Sequence, residues 1–147
     1  MTRPLRKWLL AYAVTAVIFA AVDAVWILTV ATPQYRSQIG HLLPASFNAA
    51  GAVLFYLVFV AGIVHYGVRP TDSRASLRSR AGSGALFGFF TYATWALTAF
   101  AVLKDFPAVV AVTDVAWGAA VCAAVSPLVA LILRLHRHRA GAAAARD

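Results

Sequence analysis

The chain has 147 residues, 62% of them hydrophobic and 12% charged, with a mean hydropathy of +0.77 and a net charge of +8. A water-soluble domain of this size is nearer half apolar and a quarter charged, and so small a core cannot hide the surplus, which leaves lipid as the solvent for much of the surface. The basic residues stand in short segments between apolar runs rather than across one face; they read as a collar for anionic lipid head groups, and nucleic acid is not an expected partner.

The first apolar run extends from Trp8 to about Ala31, behind Arg3, Arg6 and Lys7. Crossing a bilayer takes about 20 apolar residues, so the run suffices. It exceeds the apolar region of a signal peptide and is interrupted by Asp23, which predicts a retained helix. Tyr12, Thr15, Phe19, Asp23 and Trp26 recur in steps of three and four. They form one stripe expected to face the bundle.

Residues 32–46 read as a connector bracketed by Pro33 and Pro44. Tyr35, Ile39 and Leu42 give it one apolar face, suited to a short helix lying at the interface. His41 reads as an ordinary polar loop residue. A second span covers residues 47–68, with Ser46 as the expected N-cap, Asn48 in the first turn and Tyr56 in mid-membrane. Residues 69–80 are polar and carry Arg69, Arg74, Arg78 and Arg80.

The third span covers residues 81–103. Its Gly84 and Gly88 form a Gly-x-x-x-Gly, a spacing that lets helices pack closely. Thr91, Thr94 and Thr98 share a face. Residues 104–107 make a tight turn in which Asp105 is placed to cap the fourth span, residues 107–133. Cys122 is the single cysteine and forms no intrachain disulfide. Residues 134–147 read as a basic, disordered tail whose His136 and His138 belong to a solvated collar. No metal site and no cofactor is expected.

The composition and the four runs predict an all-α fold: an integral membrane bundle of four transmembrane helices forming one domain over residues 1–133. Eleven basic residues lie at the N-terminus, the middle connector and the tail, against Arg36 and Lys104 on the other side. This asymmetry predicts cytoplasmic N- and C-termini. Arg74, Arg78, Arg80, Arg134, Arg137 and Arg139 are the expected head-group contacts.

Two stretches stand out, Asp23-Ala24-Val25-Trp26 and Asp114-Val115-Ala116-Trp117. On a helix, residues three apart share a face, so each Asp is expected beside its Trp. Counted from the outer helix ends at 1.5 Å per residue, Asp23 and Asp114 lie at depths of roughly 12 Å and 10 Å. Thr94, Thr98 and Asn48 fall in or near the same slab. An Asp near the bilayer centre costs roughly 3 kcal/mol, so such residues turn toward the bundle or a cavity. Either Arg36 or Lys104 reaches in, or a carboxyl is held protonated by desolvation, and two close carboxyls would share a proton; the equal alternative is structural, two Asp hydrogen-bonded across helices to Thr, Trp N–H or Asn. The expected polar site comprises Asp23, Trp26, Asn48, Tyr92, Thr94, Thr98, Asp114 and Trp117.

The order Asp23-x-x-Trp26, Tyr35-x-x-x-x-Gly40-x-Leu42-Leu43, Asn48, Phe55-Tyr56, Gly84-x-Leu86-Phe87-Gly88-Phe89, Tyr92-Ala93-Thr94 and Asp114-x-Ala116-Trp117-Gly118 resembles the DUF2177 family of small bacterial multi-pass membrane proteins. The resemblance covers roughly residues 8–133. It implies four spans in the bacterial cytoplasmic membrane and brings no established activity. Some relatives stand beside cyclopropane-fatty-acid-synthase-like and other lipid-modifying genes, which implies a role around lipid modification or envelope maintenance. The resemblance also marks a departure: where the family usually carries an Asp and an Asn, this chain has Ala96 and Ala99.

Three functional classes follow. The first is a non-enzymatic or accessory membrane protein, a four-helix bundle that assists a membrane protein partner or pairs with a second copy, its basic collar meeting anionic lipid head groups. The others are a small proton-coupled transporter, and a lipid-modifying enzyme subunit using Asp23 and Asp114. The sequence offers no His-rich box, nucleophile elbow or dinucleotide fingerprint, so an enzyme is the weaker expectation.

Overall fold

A computed structural model describes residues 3–144, with side chains over residues 4–136. The described chain is helical between short turns, without strands. Four segments are long and apolar enough to cross a membrane: Pro4–Leu42, Ala49–Val68, Leu77–Val102 and Ala108–His136.

The first segment is longer than the apolar run. Helix α1 (Arg3–Trp26) passes through a π-helical turn (Ile27–Ala31) into α2 (Thr32–Ile39) and a short 3-10 turn (Gly40–Leu42). Pro33 therefore does not end the helix, contrary to expectation. A proline lacks an N–H, and its ring collides with the carbonyl four residues back. The wider π turn directly before it, with Thr32 N–H bonded to the Ile27 carbonyl, changes that geometry.

Helix α3 (Ala49–Gly62) starts at Asn48, whose side chain accepts from Gly51 N–H at 3.0 Å. Asn48 is thus the cap expected of Ser46. The helix closes in a second π-helical segment, Ile63–Val68, and stops where Arg69 turns left-handed at φ 45°. Helix α4 (Leu77–Val102) is capped by Ser76, and α5 (Ala108–Ala144) continues through Pro127. Helix α5 runs on through the basic stretch after Leu133 to Ala144. Arg137, Arg139 and His138 have side chains outside the described ones. Asp105 sits in a left-handed turn and makes no capping bond among the described residues.

The core is where α4 and α5 lie side by side. A methyl group on Gly88 would come within 1.9 Å of the Gly118 carbonyl, and one on Gly84 within 2.4 Å of the Cys122 carbonyl. The Gly-x-x-x-Gly spacing is therefore taken up within the chain, by backbone-to-backbone approach. Phe19 of α1, Phe59, Val60, Ile63 and Val64 of the second span, and Val121, Val125 and Val129 of α5 fill the space beside it. A second cluster at the other end joins Ile39 of α2 to Ala96, Ala99, Phe106, Val110 and Ala111.

The middle connector is a folded unit. Arg80, 3% exposed, donates to the carbonyl oxygens of Arg69 (3.0 Å) and Asp72. Arg134 donates to the Ala75 carbonyl at 2.7 Å, tying α5 to the same loop. The Asp72 carboxylate accepts from the backbone N–H groups of Arg74 and Ala75 and pairs with Arg69 at 3.6 Å. Arg80 is accordingly turned inward onto carbonyls just past a helix C-terminus, where a cation is favoured, rather than outward to head groups. Arg74 and Arg78 remain exposed.

Candidate functional site: two buried acids and a lateral groove

Both intramembrane acids turn into the bundle, Asp23 at 3% and Asp114 at 4% exposure. Their environments differ. Asp23 has both oxygens occupied: Oδ2 accepts from the Tyr56 hydroxyl at 2.7 Å and Oδ1 from the Trp117 indole N–H at 3.1 Å. Each donor comes from a different helix, so Asp23 ties α1 to α3 and α5. Trp26 does not serve its own Asp. Its ring lies flat on Trp117, centroids 4.3 Å apart and planes 3° from parallel.

Asp114 is held by a residue of the unexpected helical extension. The Tyr35 hydroxyl of α2 donates to Asp114 Oδ2, and next to it Gln34 Nε2 donates to Thr113 Oγ1 at 3.2 Å. Asp114 Oδ1 has no hydrogen-bond partner among the described residues. Neither Asp forms an ion pair with Arg36 or Lys104; the ion pair among the described residues is Arg69–Asp72. No hydrogen bond joins the two carboxyls, so the arrangement is two separately held acids rather than a proton-sharing pair. Trp117, the partner of Asp23, lies one turn along α5 from Asp114, about 4.5 Å on the helix axis.

The rest of the expected site divides. Tyr92 is half-buried and its ring covers Gly118, where a methyl group would meet it at 2.3 Å. Thr94 is exposed and bonds back to the Phe90 carbonyl at 2.7 Å, and Thr98 is exposed as well. Asn48 is the α3 cap. Thr94, Thr98 and Asn48 therefore make no hydrogen bond to either carboxyl among the described residues. Depth along a helix fixes a residue's layer but not the direction its side chain takes. Tyr35 and Tyr56, the two hydroxyl donors to these carboxyls, carry the one side chain that is largely apolar yet ends in a hydroxyl able to satisfy a buried carboxylate.

Asp114 also borders a groove. α4 packs along α5 and along the π-helical end of the second span. Beyond that end, α3 and α4 are bridged by rings, Phe59 to Phe87 at 5.3 Å and Phe59 to Tyr92 at 5.7 Å. Above these rings lies a cavity of about 860 Å³, walled by Leu54, Phe55 and Val58 of α3 and Thr91, Tyr92 and Trp95 of α4, with Tyr35 and Asp114 also in its wall. Leu54, Val58 and Trp95 are 63%, 66% and 59% exposed, so the groove opens sideways on the face a bilayer would cover.

The sequence of residues 8–131 matches the model of one family, DUF2177, described as a predicted membrane protein. The chain belongs to the DUF2177 family. No curated protein and no solved structure matches it. In this DUF2177 chain Ala96 and Ala99 lie in the second core cluster, buried at 0% and 2% exposure among Ile39 and the start of α5.

Proposed function

We propose that this DUF2177 protein is a non-catalytic lipid-binding protein of the bacterial cytoplasmic membrane, accessory to lipid modification or envelope maintenance. In this reading both termini and the arginine-rich connector are cytoplasmic, and the exposed Arg74 and Arg78 meet anionic head groups. The observation that carries it is the groove between α3 and α4. It has the volume of a small-molecule site, apolar walls and a few polar groups, the usual make-up of a ligand pocket. It opens to where lipid would be, so acyl chains are the ligands at hand. From Gly51 to Tyr66, both in its wall, it follows about 22 Å of helix. That exceeds one leaflet's hydrocarbon depth of about 15 Å.

The transporter and enzyme-subunit readings required two acids acting together. Asp23 is fully committed to Tyr56 and Trp117, which leaves Asp114 alone with an open oxygen and favours binding over proton relay. Native mass spectrometry of the purified full chain tests the proposal. One phospholipid is expected to stay bound after the micelle is stripped. Val58→Trp, which fills the groove from an exposed position, is expected to remove it without lowering the folded yield. Equal lipid retention by both proteins would contradict the reading.

A further inference from the structure

The two acids use their oxygens differently, and that difference points to a ligand. Asp114 is more than nine-tenths buried, yet Oδ1 has no partner among the described residues and the residue borders the groove. No Lys or Arg lies within residues 81–103 or 107–133, or within the second span, to balance a carboxylate there. A carboxylate in such surroundings is costly unless it is paired and hydrogen-bonded, so a cation with hydrogen atoms to donate is the ligand that would hold Asp114 ionised there.

The depth fits a head group. The fourth span, Ala108–His136, has 29 residues, or about 43 Å of helix. That matches a bilayer with its head-group layers, about 40–45 Å, of which about 30 Å is hydrocarbon. Each head-group layer is then about 6 Å deep. Asp114 stands six residues from Ala108, or about 9 Å in. It is therefore just beneath the head groups, within reach of a short ammonium arm folded inward.

We infer that the groove binds a phospholipid with a primary ammonium head group, phosphatidylethanolamine, its acyl chain between α3 and α4 and its ammonium donating to Asp114 Oδ1. The inference rests on the lipid-binding reading above and adds the head group. A primary ammonium carries three N–H donors. The choline head group has the same charge and none, so it satisfies the Coulomb attraction but not the hydrogen bond. Tyr35 occupies the other carboxylate oxygen.

The full chain, purified and delipidated in detergent, is titrated with phosphatidylethanolamine, its mono- and dimethyl derivatives and phosphatidylcholine, all with the same acyl chains, and bound lipid is counted by native mass spectrometry. The wild type is expected to prefer ethanolamine over choline about tenfold, the scale of one charge-assisted hydrogen bond. The preference should fall with each added methyl. Asp114→Asn, which keeps an acceptor for Tyr35, is expected to bring the two head groups to parity by weakening the binding of the ethanolamine lipid. Tyr35→Phe, which leaves the carboxylate in place, is expected to keep the preference. Equal binding across the methyl series, with binding still lost in Val58→Trp, would overturn the head-group assignment and leave the groove standing. A preference that survives Asp114→Asn would overturn it too. Lipid retention indifferent to Val58→Trp would remove the groove reading itself.

Discussion

Trp117 on α5 donates its indole N–H to Asp23 on α1 across 3.1 Å, so the two Asp-x-x-Trp stretches complete each other rather than themselves. The stacked Trp26 ring fixes the same indole from its face. With the Tyr56 hydroxyl on the second oxygen, Asp23 joins three helices at one point.

Asp23 is therefore expected to act on stability. Asp23→Leu leaves two donors without an acceptor. Intramembrane hydrogen bonds average about 0.6 kcal/mol and reach about 1.7, so the loss should be about 1–3 kcal/mol. Asp23→Asn should cost less, because an amide oxygen still accepts. A double-mutant cycle pairing Asp23→Asn with Trp117→Phe, measured by reversible unfolding in bicelles, checks this. A coupling of about 1 kcal/mol is expected; strictly additive effects would show that the bond contributes nothing.

The α4–α5 seam predicts a contrast among glycines of one helix. Gly88→Ala must push a methyl group against the Gly118 carbonyl, which is backbone and cannot rotate away. Separating the helices should cost about 1–3 kcal/mol, the usual range for overpacking. Gly82→Ala meets nothing within 4 Å. It should stabilise α4 by up to about 1 kcal/mol through helix propensity. Thermal stability of the two variants in detergent decides whether the seam is as close as described.

In the middle connector, Arg80→Ala should lower stability by about 2–3 kcal/mol, since it removes charge-assisted bonds to two carbonyls, while the exposed Arg78→Ala should change little. The Asp72 carboxyl is held below the usual carboxylate range by the backbone N–H of Ala75, then by that of Arg74 and the charges of Arg69 and Arg80. Its contribution is present above the unfolded-state value, about 3.9, and is lost as pH falls through the lower folded value. The connector should therefore loosen below about pH 4, read as faster proteolysis between residues 69 and 80. Asp72→Ala should be loose already at neutral pH.

The four spans were legible because an excess of apolar residues in runs of membrane length has one physical outcome. Asp23 and Asp114 were legible because acids inside such runs are rare and costly. Their partners were not. Spacing within a helix says that Asp23 and Trp26 share a face, not which neighbouring helix supplies the donor. Tyr35 was hidden by Pro33, which read as a stop until the π turn before it carried the helix on. Thr94 and Thr98 were drawn in by depth alone, whereas their direction is set by how α4 meets α5 at Gly84 and Gly88. The groove has no sequence signature, since it comes from two helices bridged by rings rather than packed backbone to backbone.

The central claim is that a lipid occupies the space between α3 and α4. Its most direct test is photo-crosslinking from a photoreactive phenylalanine at Val58, in the groove, compared with one at Val17, 71% exposed on α1. In bicelles, the account predicts a phospholipid adduct at Val58 that saturates at one per chain and is competed by added phospholipid. At Val17 it predicts labelling that rises with lipid content and does not saturate. Identical, non-saturating labelling at both positions would show that the groove is ordinary lipid-facing surface and would contradict the account.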